Sequence, residues 1–149
     1  MKLEAANILV ADDDPDDVLL LKEALGECGP KHRLRSVADG QELMDYLTRR
    51  SRDAAIPKPD MILLDLNMPR KNGFEVLQEI KADPLYRHIP VVIWTTSRRE
   101  EDISRTYLLG CNAYMTKPAS YDELVDKMKA LNHYWFEQSE LAKTQQEAG

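Results

Sequence analysis

The chain has 149 residues, 43% of them hydrophobic and 31% charged, which fits one folded domain and excludes a wholly disordered chain. A formal net charge of -6 excludes the basic footprint of a nucleic-acid binder, and the carboxylates are spread along the chain rather than gathered in an acidic tail. Cys28 and Cys111 lack ligand spacing and read as small filler in a reduced compartment. The start, MKLEAANILVADDD, has no apolar stretch suited to a signal peptide, and no run reaches the length of a membrane span, so a cytoplasmic protein is expected.

Short apolar runs alternate with helix-period stretches, the pattern of an α/β protein with a parallel sheet covered on both faces. The first run is Ile8 to Ala11. Asp14 then caps a helix with Pro15 at its first position, and Val18, Leu21 and Leu25 share one face. Arg33 to Val37 alternates, as suits a strand nearer an edge. Leu43, Tyr46 and Leu47 stripe a second helix, followed by a polar loop, roughly Arg49 to Pro59. The next run is Met61 to Leu64, and Phe74, Leu77 and Ile80 stripe a third helix. After the loop Asp83 to Pro90 come the run Val91 to Trp94 and a capping box read at Ser97 to Glu100. A weaker run spans Ala113 to Met115. A second capping box is read at Ser120 to Glu123, and Leu124, Met128, Leu131 and Trp135 stripe a last helix that runs on past Phe136. The domain is bounded at 5–137, with a polar tail over 138–149.

The chemistry gathers where the runs end. Asp12, Asp13 and Asp14 close the first run, Asp65 the third strand, Thr95, Thr96 and Ser97 the next, and Thr116, Lys117 and Pro118 the last. In a parallel sheet these ends share one edge, where open α/β sheets bind ligands. Clustered carboxylates repel and one would protonate without a cation. A hard divalent ion held by oxygens, of which Mg²⁺ is the natural choice, offsets them. With a lysine and a small hydroxyl donor, this describes a phosphoryl site. Asp65 stands alone and is the candidate nucleophile, whereas Asp12 and Asp13 are paired and suit a metal. Asp14, Asp16 and Asp17 read as an ordinary solvated helix start.

The motifs ILVADDD, MILLDLNMPRKNG, VVIWTTS and AYMTKP, in that order, resemble the response-regulator receiver family over nearly the whole chain. The resemblance implies a flavodoxin-like, doubly wound sheet of five strands in the order 2-1-3-4-5. It implies Asp65 as phosphoacceptor, and Mg²⁺ held by Asp12, Asp13 (directly), Asp65 and the backbone carbonyl of Asn67. Thr95 would bond a phosphoryl oxygen and Lys117 would pair with it. Thr95 and Tyr114 would form the switch, and Asn67 and Ser97 would tune hydrolysis. It also implies a cis Lys117–Pro118 bond. Ala119 departs from the bulky apolar residue common there, which leaves the packing of the last helix open. The loop before Asp60, the stretch 83–90 and the aromatic end Tyr134, Trp135 and Phe136 are similar to single-domain regulators encoded with phytochrome-type histidine kinases.

The expected function is a single-domain response regulator that takes a phosphoryl group from a histidine kinase or phosphotransfer protein. It would act only on itself, not as an enzyme, and signal by protein contact, without nucleic acid or membrane. A homodimer through the fourth helix, fifth strand and fifth helix is suggested by the last stripe, with Trp135 and Phe136 covering the core as the equal alternative. One rival function is a haloacid-dehalogenase-type Mg²⁺-dependent phosphatase, whose nucleophile belongs on the first strand. The other is a phosphorylation-independent adaptor.

Overall fold

The structure, a computed structural model, describes residues 5–28 and 32–138, the side chains of 136–138 excepted. Five strands form one parallel sheet: β1 (Asn7–Ala11), β2 (Arg33–Val37), β3 (Met61–Leu64), β4 (Val91–Thr95) and β5 (Ala113–Thr116). Their order is β2-β1-β3-β4-β5, so strand order reverses beside β1. Between them lie α1 (Pro15–Gly26), α2 (Gly40–Arg52), α3 (Gly73–Ala82) and α4 (Glu100–Leu109), with α5 (Tyr121–Leu131) last. This is the fold class read from the sequence.

The sheet is dry on both faces because its central strands β3 and β4 are apolar at every position before Thr95. All of β3 and β4 is buried. Leu9, Ile62, Leu64 and Ile93 face α2 and α3, which deliver Leu43, Leu47, Val76, Leu77 and Ile80. Ile8, Val10, Leu63, Val92 and Trp94 face α1 and α5, which deliver Leu21, Leu25, Leu124, Met128 and Leu131. Each such side chain contributes on the order of 1.5–3 kcal/mol. Register follows from this two-faced burial: Leu63 stands level with Val10 on one side and Val92 on the other. Buried tyrosines tie the two loops to α2. Tyr46 donates its hydroxyl to the Pro57 carbonyl at 2.6 Å, and Tyr86, from the stretch 83–90, donates to the Leu47 carbonyl at 3.2 Å.

Most helix starts follow the sequence reading. Asp14 accepts from the backbone amides of Asp16 and Asp17, and Ser120 accepts from the Glu123 amide, the serine half of the box read there, without the reciprocal bond from the Glu123 side chain. The box read at Ser97 to Glu100 does not form. Arg99 holds the cap position of α4 with no side-chain capping bond, and the Ser97 hydroxyl instead donates to the Asp102 carboxylate at 2.6 Å and accepts from the Arg99 amide at 3.3 Å. The last helix changes character too. Its α-helical part ends at Leu131, and Asn132–Gln138 continues as a wider π-helical turn. Trp135 is half-buried against the α1–α5 core. The side chain of Phe136 and the tail from 139 lie outside the described residues.

Candidate functional site

Three site residues sit one rung beyond their strands. The Asp12 amide donates to the Val37 carbonyl at 3.0 Å, the Asp65 amide to Ala11 at 3.0 Å, and the Lys117 amide to Thr95 at 2.7 Å. The sheet ladder thus places them before any side chain acts. Gly73 lets the start of α3 close against this edge, since a Cβ there would stand 2.4 Å from the Asp65 carbonyl oxygen.

The side chains then converge. The Lys117 ammonium donates to Asp12 Oδ2 at 2.7 Å, to Asp65 Oδ2 at 2.9 Å and to Asp17 Oδ2 at 3.1 Å. The remaining oxygen of Asp12 accepts from the Asp14 amide at 3.0 Å, and that of Asp65 from the Asn67 amide at 3.4 Å. Asp12 and Asp65 are buried while Asp13 is exposed. Burial pushes the Asp12 carboxyl above its ordinary value, and its hydrogen bond to Lys117 offsets only part of this. Burial would lower Lys117, but its bonds to Asp12 and Asp65 outweigh that and hold it above the ordinary lysine value. The ammonium is therefore fixed in its charged form.

Asp17 was not legible as a site residue. It reads as solvated helix start, yet the first turn of α1 aims it at Lys117. The available signal is that Asp17 lies four residues before buried Leu21, on the inward face of α1.

Thr95, fully buried at the end of β4, accepts from the Ser97 amide at 3.3 Å. Tyr114 on β5 donates its hydroxyl to the Ser97 carbonyl at 2.9 Å. One residue, Ser97, therefore ties Thr95, Tyr114 and α4 together. The peptide bond before Pro118 is trans, as are all others described. The expected cis isomer is not needed: the Lys117 amide continues the β4–β5 ladder, and the ammonium reaches both carboxylates from the trans backbone.

One carboxylate oxygen from each of Asp12, Asp13 and Asp65 lies within 4.8 Å of the other two. Three hard oxygen donors and a single ammonium leave the cluster short of positive charge, so the residues fit a divalent cation.

A parallel sheet in this order, with buried carboxylates, a lysine and a hydroxyl at its carboxyl edge, defines a phosphoryl-handling signalling domain. Residues 8–129 match the response regulator receiver domain, and the chain belongs to that family, whose members serve two-component signalling through phosphorylation of an aspartate. It is 38% identical over 130 residues to the response regulator Rcp1 of Synechocystis, covering 87% of this chain and 88% of that protein. It is also similar to the phosphorylated cyanobacterial phytochrome response regulator RcpA, with a TM-score of 0.86 and 40% identity over 93% of this chain and 99% of the other. The Mn²⁺-bound form of Rcp1 superposes with a TM-score of 0.83 and 36% identity, again over 93% and 99%. The partners of such domains are histidine kinases or phosphotransfer proteins, and their acidic pocket takes a divalent metal. The family match runs against the phosphatase alternative. Among the described residues no helix is long and apolar enough to cross a membrane.

Proposed function

We propose that the chain acts as a receiver over 5–137, with a polar tail over 138–149. Asp65 takes the phosphoryl group from the phosphohistidine of a sensor kinase, of phytochrome type, or of a phosphotransfer protein. The observation that carries this is Lys117 bridging buried Asp12 and Asp65 beside buried Thr95. The likeness to Rcp1 and RcpA supports the kinase type.

Mg²⁺ fits Asp12, Asp13, Asp65 and the main-chain carbonyl of Asn67, and when bound it would offset charge on the phosphoryl oxygens. The chain's own residues do the rest. An Asp65 oxygen forms the new P–O bond as the P–N bond to the donor imidazole breaks, and the electron pair stays on that nitrogen. Lys117 moves from the Asp65 carboxylate to a phosphoryl oxygen, and Thr95 donates its hydroxyl to another, so catalysis is positioning and electrostatics. The chain modifies only itself and turns over no independent substrate, with Asn67 and Ser97 tuning hydrolysis from the rim.

Thr95 accepts from the Ser97 amide, and the Ser97 carbonyl holds Tyr114. Drawing Thr95 toward the phosphoryl group releases that amide, so Tyr114 and α4 respond together as a shift between two states. The output is protein contact through α4, β5 and α5. Exposed Leu108 and Tyr107 on α4 support a homodimer there, whereas the packing of Trp135 supports its role in covering the core.

Incubation with a small acyl phosphate and Mg²⁺ should retard wild-type protein on a phosphate-affinity gel, and Asp65→Asn should abolish the shift. Labelling that survives Asp65→Asn places the acceptor elsewhere.

A further inference from the structure

The loop from Asp65 to Gly73 carries both the Asp65 carboxylate and the Asn67 main chain. It turns at Arg70, whose φ of 64° makes it the only non-glycine of positive φ among the described residues. The Lys71 amide donates to the Pro69 carbonyl at 2.7 Å. A bond of that span around a residue of positive φ belongs to the rarer, strained kind of γ-turn. Glycine takes such a conformation without strain, yet the sequence places an arginine here.

The side chain supplies the reason. Arg70 Nε donates to Asp39 Oδ2 at 2.9 Å and Nη2 to Asp39 Oδ1 at 3.0 Å, the two-pronged geometry that makes arginine–carboxylate pairs specific. Asp39 is the cap of α2, and its Oδ1 also accepts from the Glu42 amide at 2.9 Å. The Asp39 side chain is only 11% exposed, against 57% for Arg70. Beside this pair the Gly40 amide donates to the Lys71 carbonyl at 3.1 Å. The approach is so close that a Cβ on Gly40 would stand 2.1 Å from that oxygen. The far end of the loop is held by the Gly73 amide on the Leu66 carbonyl at 3.0 Å and by Lys71 on Glu79 at 2.7 Å.

We infer that the Arg70–Asp39 pair is a positioning clamp for the metal: it fixes the apex of the β3–α3 loop to the start of α2, and through the loop backbone it sets the Asn67 main chain against the carboxylate site. This rests on the Mg²⁺ reading above. An ion pair with one exposed partner adds little to global stability, so its effect falls on loop order and metal affinity.

Isothermal titration of the unphosphorylated chain with Mg²⁺, alongside chemical denaturation, tests the clamp. Arg70→Gly removes the fork and relieves the backbone, so it should keep the fold's stability while raising the Mg²⁺ Kd on the order of threefold to tenfold. That lies at or below the low end for groups that act directly on ligands. Asp39→Asn retains a good helix cap and should raise Kd by the same factor, with the double variant no worse than either single. Arg70→Lys, lacking the fork, should restore only part of the affinity. Normal wild-type binding with both single variants within twofold of it overturns the clamp alone, as do additive effects of the two. Absence of Mg²⁺ binding by the wild type overturns the metal reading and the clamp with it.

Discussion

Asp39 shows how one carboxylate can serve two backbones. Its bonds from Arg70, and after them the Glu42 amide, hold the carboxyl below the ordinary value of 3.8. The unfolded chain keeps the ordinary value, so the folded state binds this proton less well. The clamp's contribution is therefore fully present above 3.8 and is lost as pH falls through the lower folded value. In an NMR titration the Asp39 carboxyl carbon should have its midpoint below 3.8 in the wild type and rise toward it in Arg70→Gly. A midpoint that does not move would assign the whole shift to the helix cap. Neither Arg70 nor Asp17 was legible in the sequence as part of the site. Arg70 occupies a position where glycine would be the readable signal, and Asp17 meets a lysine from the opposite end of the chain, 100 residues away. The placement of Asp12, Asp13, Asp65, Thr95 and Lys117 at one sheet edge was legible because they lie where apolar runs end, and the ladder carries Asp12, Asp65 and Lys117 into register.

Among the elements, the β4–α4 connection departs most from its sequence pattern. A serine three residues before a glutamate reads as a capping box, but here tertiary partners compete for it. The Ser97 hydroxyl goes to Asp102 and accepts from the Arg99 amide, its own amide goes to Thr95 and its carbonyl to Tyr114, so the Glu100 pairing that a box requires is not made. Helix α4 thus begins on a knot shared with the site rather than on its own cap. Tyr114→Ala removes one strand of that knot while leaving Asp65 and Lys117 untouched. It should retain phosphodonor labelling near the wild-type level but weaken phosphorylation-dependent binding of a partner about tenfold, read by surface plasmon resonance. Equal partner affinity with and without the tyrosine would separate Tyr114 from the output. The trans bond before Pro118 and the π-helical turn at the end of α5 were likewise not legible, since both depend on how the last segment packs across the sheet rather than on residue pattern.

At the scale of the molecule the fold was legible because β3, and β4 up to Trp94, are apolar at every position, which requires cover on both faces. The strand order could not come from periodicity and was drawn from family likeness. One consequence of that order concerns the rims of the sheet rather than its centre. The outer rim of β2 carries Arg33, Arg35 and Ser36 exposed, whereas β5 is uncharged and half-buried throughout. Unsatisfied rims invite strands from other molecules, and charge on a rim discourages them. Replacing Arg33 and Arg35 together by threonine should therefore increase light scattering in concentrated solution without moving the unfolding midpoint appreciably, and unchanged scattering would show that the arginines guard nothing. Chain-to-chain growth of the sheet is thus disfavoured at β2 and is expected to begin at β5, the strand that also carries Tyr114.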